Sequence, residues 1–70
     1  MQNGTVTDFD ADRGWGTIRD DVKMHEYFFH CTAIADGSRF IEVGAPCTFV
    51  LAPGHGGRFE ATDVNSRVAR

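Results

Sequence analysis

The stretch Glu26-Tyr27-Phe28-Phe29-His30-Cys31 decides the fold class of this sequence. It is rich in aromatic residues, which favour β-strands, and it has about the length of one strand. Because successive strand residues point to opposite faces, Tyr27 and Phe29 are predicted to face a core. Phe28 and His30 then face outward, since a chain of 70 residues has room for only one barrel interior.

Four further runs of strand length lie on either side of this one, at residues 4–9, 15–19, 47–51 and 58–64. Turn residues separate the runs by roughly eight to twelve positions, as in an all-β meander. Helical periodicity is absent, and residues 32–35 can form at most a single turn. The sequence therefore predicts an all-β fold, a five-stranded antiparallel OB-type barrel, with residues 1–70 as one domain.

Alternation also assigns the side chains of the other strands to the two faces of the barrel. The residues predicted to face the core, besides Tyr27 and Phe29, are Val6, Ile18, Cys47, Phe49 and Leu51. Trp15 and Thr17 are predicted to lie on the outer face together with Phe28 and His30. The sequence thus indicates an outer face that carries several aromatic rings.

Composition limits the classes of partner. The net charge is −3, the reverse of the basic balance that is typical of phosphate-binding proteins. A stacking surface can nevertheless take its affinity from base contacts and from a few well-placed cations. Residues 1–4 have neither a basic region nor an apolar run, and no apolar stretch approaches the roughly 20 residues of a membrane span, so we expect a cytoplasmic protein without a membrane partner.

Three stretches resemble known sequence motifs. Residues 4–18, G-T-V-T-D-F-D-A-D-R-G-W-G-T-I, resemble the opening of bacterial cold-shock proteins, G-x-V-K-W-F-N-x-x-K-G-F/Y-G-F-I. Residues 27–34, Y-F-F-H-C-T-A-I, are similar to their second motif, V-F-V-H-F-S-A-I, and residues 37–44 are similar to the following loop. The resemblance extends to about residue 64. It implies a five-stranded OB barrel that binds single-stranded RNA or DNA, often pyrimidine-rich, and a role as an RNA chaperone.

The resemblance also implies roles for individual residues. Trp15, Phe28 and His30 occupy positions where the family stacks bases, and Arg13 and Arg39 occupy basic loop positions. We expect Arg58 to supply a further phosphate contact. Thr7 and Thr17 also occupy positions of the family's binding face, which completes the predicted nucleic-acid site.

The sequence departs from the family pattern at six positions. Where the family has aromatic residues, this sequence has Asp8, Thr17, Cys31 and Ser38. Where the family has a lysine it has Thr7, and where the family has a glutamine it has Glu60. Because stacking one base on an aromatic ring contributes about 1–3 kcal/mol, four losses would weaken binding substantially. The contributions are not additive within one surface, so we expect weakened binding rather than none.

Metal binding and catalysis find little support in the sequence. His25, His30, Cys31 and His55 lack the closely spaced pairs of a zinc site, so we expect no metal and no cofactor. The two cysteines form no CxxC motif, and we expect both thiols to be reduced. Cys31 and His30 are strand neighbours that point to opposite faces, so His30 cannot accept a proton from the Cys31 thiol as a catalytic base would. We therefore expect a binding protein and not an enzyme.

An alternative hypothesis uses the same barrel as a protein-interaction or self-association module. Trp15, Phe28 and Cys31 would then form an apolar patch for a protein partner or for a second copy of the chain. The acidic residues Asp8 and Glu60 favour this alternative, because carboxylates repel phosphates. The sequence leaves both hypotheses open.

Overall fold

A computed structural model describes residues 1–67, apart from the side chain of His55. Its elements are, in chain order, β1 (Gln2–Asp10), β2 (Trp15–Asp20), β3 (Glu26–His30), a 3₁₀ turn (Cys31–Ala33), β4 (Pro46–Pro53), a second 3₁₀ turn (His55–Gly57) and β5 (Phe59–Ser66). The all-β prediction is confirmed, and each predicted strand differs from the observed one by at most two residues at either end. Within residues 1–67, no helix has the length and hydropathy needed to cross a bilayer.

The strands close into a barrel in the order β1-β2-β3-β5-β4. The predicted five-stranded barrel is confirmed, but the pairing of β3 with β5 is parallel rather than antiparallel. The reason is topological. β1, β2 and β3 alternate in direction, and β4 runs antiparallel to β1 on its other edge. β5 then runs antiparallel to β4, and therefore in the same direction as β3.

A β-bulge at Thr7 sets which residues of β1 face the core. Val6 pairs with Ile18, whereas Asp8 pairs with Thr17, so β1 has one more residue than β2 in this interval. The extra residue reverses the alternation, as bulges do. Phe9 consequently packs against the core, while Asp8 is exposed. Alternation continued from Val6 without a bulge would have turned Asp8 inward.

The core contains the residues that the sequence assigned to the inner face. Val6, Ile18, Phe29, Cys47 and Phe49 are at most 1% exposed. This confirms their predicted inward orientation. Tyr27 and Leu51 are half-buried and pack at the edge of the core. The remaining core residues come from the later part of the chain and are Ile34, Ile41, Ala45, Ala61 and Val64.

The loop of residues 35–45 is held against the barrel by two of these core residues and by the backbone of β1. Ile41 and Ala45 are 5% and 8% exposed. The Val6 N–H donates to the Ala45 carbonyl at 3.0 Å, and the Gly44 N–H donates to the Val6 carbonyl at 2.7 Å. The loop therefore packs against the core and β1 without contributing a strand.

A buried carboxylate closes the turn after β2. Asp20 is 3% exposed, and it accepts hydrogen bonds from the N–H groups of Val22 and Lys23 at 2.8 and 2.9 Å and from the Gln2 amide at 2.6 Å. These donors, the Lys23 N–H foremost, hold the pKa of Asp20 below its ordinary value. Asp20 thus links the turn to the first residue of β1.

Both cysteines are free thiols, in different surroundings. Cys47 lies in the core, where burial raises its pKa to about 11, with a smaller contribution from the nearby Asp21. Cys31 is half-buried at the start of the first 3₁₀ turn, and its sulfur lies against Gly14 of the β1–β2 turn. The two side chains therefore lie in separate parts of the barrel wall.

Candidate functional site

Three aromatic side chains lie together on the outer face of β2 and β3, and we call Trp15, Phe28 and His30 the aromatic platform. Trp15 pairs with His30 across the two strands, and Thr17 pairs with Phe28, so all four share one face. The ring centroids of Trp15 and Phe28 are 5.3 Å apart, with planes at 31°. Those of Phe28 and His30 are 4.9 Å apart, with planes at 86°. The platform is thus a continuous ring surface, in which Trp15 and Phe28 are half-buried and His30 is exposed.

The local sequence explains why Trp15 faces outward. Gly16 pairs with Phe9 and Phe29 on the inner face, where a Cβ would overlap the Asp8 carbonyl and the Phe9 backbone. Gly14 has a φ of 76°, which favours glycine, and its N–H donates to the Asp10 carbonyl at 2.8 Å. The two glycines close the turn and let β1 approach β2, and the phase of the strand leaves the indole outside.

A row of paired residues crosses four strands beside the platform. Asp8 pairs with Thr17, Thr17 with Phe28, and Phe28 with Glu60. Thr7 joins the row, because its hydroxyl lies 2.8 Å from that of Thr17. The two predicted threonines therefore lie next to the platform but present short polar groups. The row has an aromatic ring at its centre and a carboxylate at each end.

A second row of paired residues consists of Asp10, Trp15 and His30. Arg13 lies in the turn that follows Asp10, next to the β1 end of this row. The Asp10 carboxylate accepts hydrogen bonds from the N–H groups of Asp12 and Arg13 at 3.1 Å, and the Arg13 Nε lies 3.6 Å from Asp10 Oδ2. The Arg13 side chain is 72% exposed. An exposed ion pair contributes about 0–1 kcal/mol, so a phosphate can compete with Asp10 for the guanidinium.

The other two predicted arginines differ in their relation to the platform. Arg58 is exposed two residues before Glu60, and its carbonyl accepts a hydrogen bond from the Gly54 N–H at 2.7 Å. This places Arg58 at the β5 end of the site. Arg39 is exposed on the loop of residues 35–45 with a φ of 60°. The structure thus brings Arg13 and Arg58 to strands or turns next to the platform, whereas Arg39 lies on a separate loop.

Sequence reasoning missed one cation of this face. Arg19 is exposed on β2, where it pairs with Thr5 on one side and Glu26 on the other. It lies in phase with Trp15 and Thr17 and therefore on the same face. The alternation of residues 15, 17 and 19 was a sufficient signal for this placement.

A cleft next to the platform was also missed. It has a volume of about 280 Å³ and is lined by His30, Pro53, Gly54 and Glu60. Pro53 ends β4 and Gly54 follows it in the connection to β5. Their approach to His30 depends on the pairing of β3 with β5, which no local spacing reveals.

The positions considered for other chemistry are dispersed. Within residues 1–67, no group of three or more His, Cys, Asp or Glu side chains is arranged to hold a metal ion. The side chain of His55 lies outside the described part. Cys31, which the alternative hypothesis places in an exposed apolar patch, is half-buried against Gly14.

Comparisons with known proteins identify similar domains. A family model described as "'Cold-shock' DNA-binding domain" matches residues 2–67. Among solved structures, drosophila Unr CSD456 matches with a TM-score of 0.76 and 25% sequence identity, over 93% of this chain and 26% of that one. The present chain thus spans about a quarter of the structure it resembles. The comparison with curated proteins gave no match.

Proposed function

Because this chain belongs to the cold-shock DNA-binding domain family, we propose that its aromatic platform binds single-stranded RNA or DNA by stacking unpaired bases. The observation that carries the proposal is the contact between Trp15, Phe28 and His30 on one outer face. Successive bases can stack on successive rings, and every base has a π-face that such a surface accepts. The proposed activity is binding, with no bond made or broken.

Phosphate contacts would come from three arginines of the same region. Arg13 is exposed in the turn before β2, Arg19 is exposed near the end of β2, and Arg58 is exposed just before β5. They offset a net charge of −3 only locally. Each phosphate contact adds to the salt dependence of binding. We therefore expect affinity to fall as salt concentration rises, with a slope that reflects two or three contacts.

The platform should bind more weakly than a fully aromatic face. Thr17 presents a hydroxyl beside Phe28 where a ring would add stacking area, and Asp8 and Glu60 place carboxylates at both ends of that row. We propose a preference for pyrimidine-rich single strands, in line with the family resemblance. Weak, reversible contact with unpaired bases also suits an RNA chaperone, which must release the strands it opens.

Trp15 is the only tryptophan, so its fluorescence reports directly on the site. A titration with oligo-dT at low and moderate salt should quench the emission, and the quenching should weaken as salt increases. A flat titration at both salt concentrations, with the protein folded, would contradict the proposal.

One observation favours a protein-interaction module instead. The row through Phe28 ends in Asp8 and Glu60, and both carboxylates repel a passing phosphate chain. A flat oligonucleotide titration together with concentration-dependent sedimentation would support self-association through this face. The two functions are thus separated by one pair of measurements.

A further inference from the structure

Glu60 occupies a defined place beside the platform. It pairs with Phe28 across the parallel strands and with Ala52 across the β4–β5 hairpin. Its carboxylate lies over Gly54, since a Cβ at Gly54 would overlap the Glu60 carboxyl atoms. The absence of a side chain at Gly54 therefore gives the carboxylate its position on the barrel surface.

Glu60 also lines the 280 Å³ cleft, together with His30 and Pro53. One wall of the cleft thus belongs to the platform, because His30 contacts Phe28 edge to face. A base that stacks at the Phe28–His30 end and extends toward β5 directs its edge to Glu60. The geometry brings together a stacking surface and a hydrogen-bonding group, the two elements needed to distinguish one base from another.

The chemistry of the carboxylate decides which base edge fits. An ionised carboxylate only accepts hydrogen bonds, and its two oxygens offer about four acceptor sites. Guanine presents two adjacent donors on its Watson–Crick edge, N1–H and the N2 amino group. A carboxylate can accept both at once, and such bidentate pairing is stronger and more selective than a single hydrogen bond.

The other bases offer less to an acceptor. Uracil and thymine have one N–H between two carbonyl oxygens, and those oxygens repel the carboxylate. Cytosine and adenine have one amino group next to a ring nitrogen that is itself an acceptor. We propose that Glu60 makes the Phe28–His30 end of the platform a guanine-selective subsite. This inference rests on the proposed function, and it adds one guanine position to a surface that is otherwise proposed to prefer pyrimidines.

The test uses oligo-dT of about seven nucleotides, within the range of ~4–16 nucleotides that one OB fold covers. A single guanine is moved through each position in turn, and binding is followed by Trp15 fluorescence. We expect one position, or two adjacent ones, to bind about tenfold more tightly than oligo-dT, as a well-formed bidentate contact predicts. Hypoxanthine at that position, which lacks the N2 amino group, should lose most of the gain.

The variant Glu60→Gln should abolish the guanine preference without loss of oligo-dT affinity, because the amide presents one acceptor and one donor. Glu42→Gln, on the exposed loop of residues 35–45, makes the same change in net charge away from the site and should keep the preference. Guanine that binds no better than thymine at every position, or a preference that survives Glu60→Gln, would overturn the inference. If oligo-dT still quenches Trp15 in that case, the proposed function stands; if no oligonucleotide binds, the proposed function has failed first.

Discussion

The hydroxyl oxygens of Thr7 and Thr17 lie 2.8 Å apart on the outer face of the barrel. Thr7 is the bulge residue of β1, and Thr17 lies between Asp8 and Phe28 in the row that crosses the strands. The pair thus fills the position next to Phe28 with two short polar groups. An aromatic side chain at Thr17 would lie directly beside an existing ring.

We therefore expect Asp8→Trp combined with Thr17→Phe to raise the affinity for single-stranded pyrimidine tracts by at least about tenfold. Each added ring contributes about 1–3 kcal/mol of stacking, reduced by coupling between neighbouring bases. Removal of the Asp8 carboxylate also relieves repulsion of the phosphates. Anisotropy of a labelled oligonucleotide measures the change without interference from the new tryptophan.

The single variant Asp8→Asn separates the two contributions. If it recovers most of the gain, and the gain shrinks at high salt, repulsion was the main defect. If Asp8→Asn has no effect and only the aromatic substitutions improve binding, the missing stacking surface was the main cause of weak binding. A folded double variant that binds no better than the parent would show that this face does not bind nucleic acid.

Trp15→Ala should reduce oligonucleotide affinity by at least about fivefold, because one base loses its stacking partner. The melting temperature should change little, since the half-buried indole packs on Phe28 and not in the core. Trp15→Phe keeps a ring and should retain most of the binding in an anisotropy titration. Unfolding of the alanine variant would place Trp15 in the core and contradict the platform.

Phe49→Ala should lower the free energy of unfolding by about 3–5 kcal/mol, because it removes a fully buried ring from the core. The neighbouring change Val50→Ala is the matched control, since Val50 is 38% exposed on the same strand. It should cost less than about 1 kcal/mol. Denaturant titrations of the two variants measure the difference. Equal losses of unfolding free energy would contradict the inward orientation of Phe49 on β4.

The two thiols should react at very different rates. Burial raises the pKa of Cys47 to about 11, and the side chain is fully buried, so at pH 8 it has almost no accessible thiolate. Cys31 is half-buried and should account for the thiol that reacts with a disulfide reagent in the native protein. Cys31→Ser should therefore react only after denaturation. Rapid reaction of native Cys31→Ser would contradict the buried position of Cys47.

Asp20 should make stability depend on pH in the acid range. Hydrogen bonds from Lys23, Val22 and Gln2 lower its folded-state pKa, so folding favours the ionised form. Its contribution is complete above the ordinary value of about 3.8 and is lost as the pH falls through the lowered folded-state value. Asp20→Asn should melt at a lower temperature than the parent at pH 7, and the gap should narrow toward pH 2. A gap that does not change with pH would contradict a role for the ionised carboxylate.

Period-two alternation was sufficient to predict much of the barrel. It placed Ile18 and Phe29 inside and Trp15 and Phe28 outside, and the structure confirms these faces. It works because β2 and β3 are short, regular and paired along their length. The outward position of Arg19 follows from the same alternation.

The remaining features depend on contacts that are distant in sequence or on interruptions of the alternation. The bulge at Thr7 turns Phe9 inward and Asp8 outward, and nothing in the composition of β1 marks it. The carboxylate of Asp20 is buried only because Gln2 and the turn amides supply donors from two segments. Likewise, the cleft at Glu60 exists because β5 returns beside β3.

The parallel register of β3 with β5 consists, within residues 1–67, of the pair Phe28 and Glu60, followed by an isolated bridge between Ile34 and Val64. Short ladders have few backbone hydrogen bonds to break, so local opening of the barrel costs least at this junction. A strand of nucleic acid lying across Phe28 and Glu60 would connect the two sides of the junction and hold it shut. Because a ligand that binds only the closed form adds to its stability, binding and barrel closure are thermodynamically linked at this point. The strand pairing with the fewest paired residues therefore lies at the position where a bound nucleic-acid strand would stabilise the closed barrel.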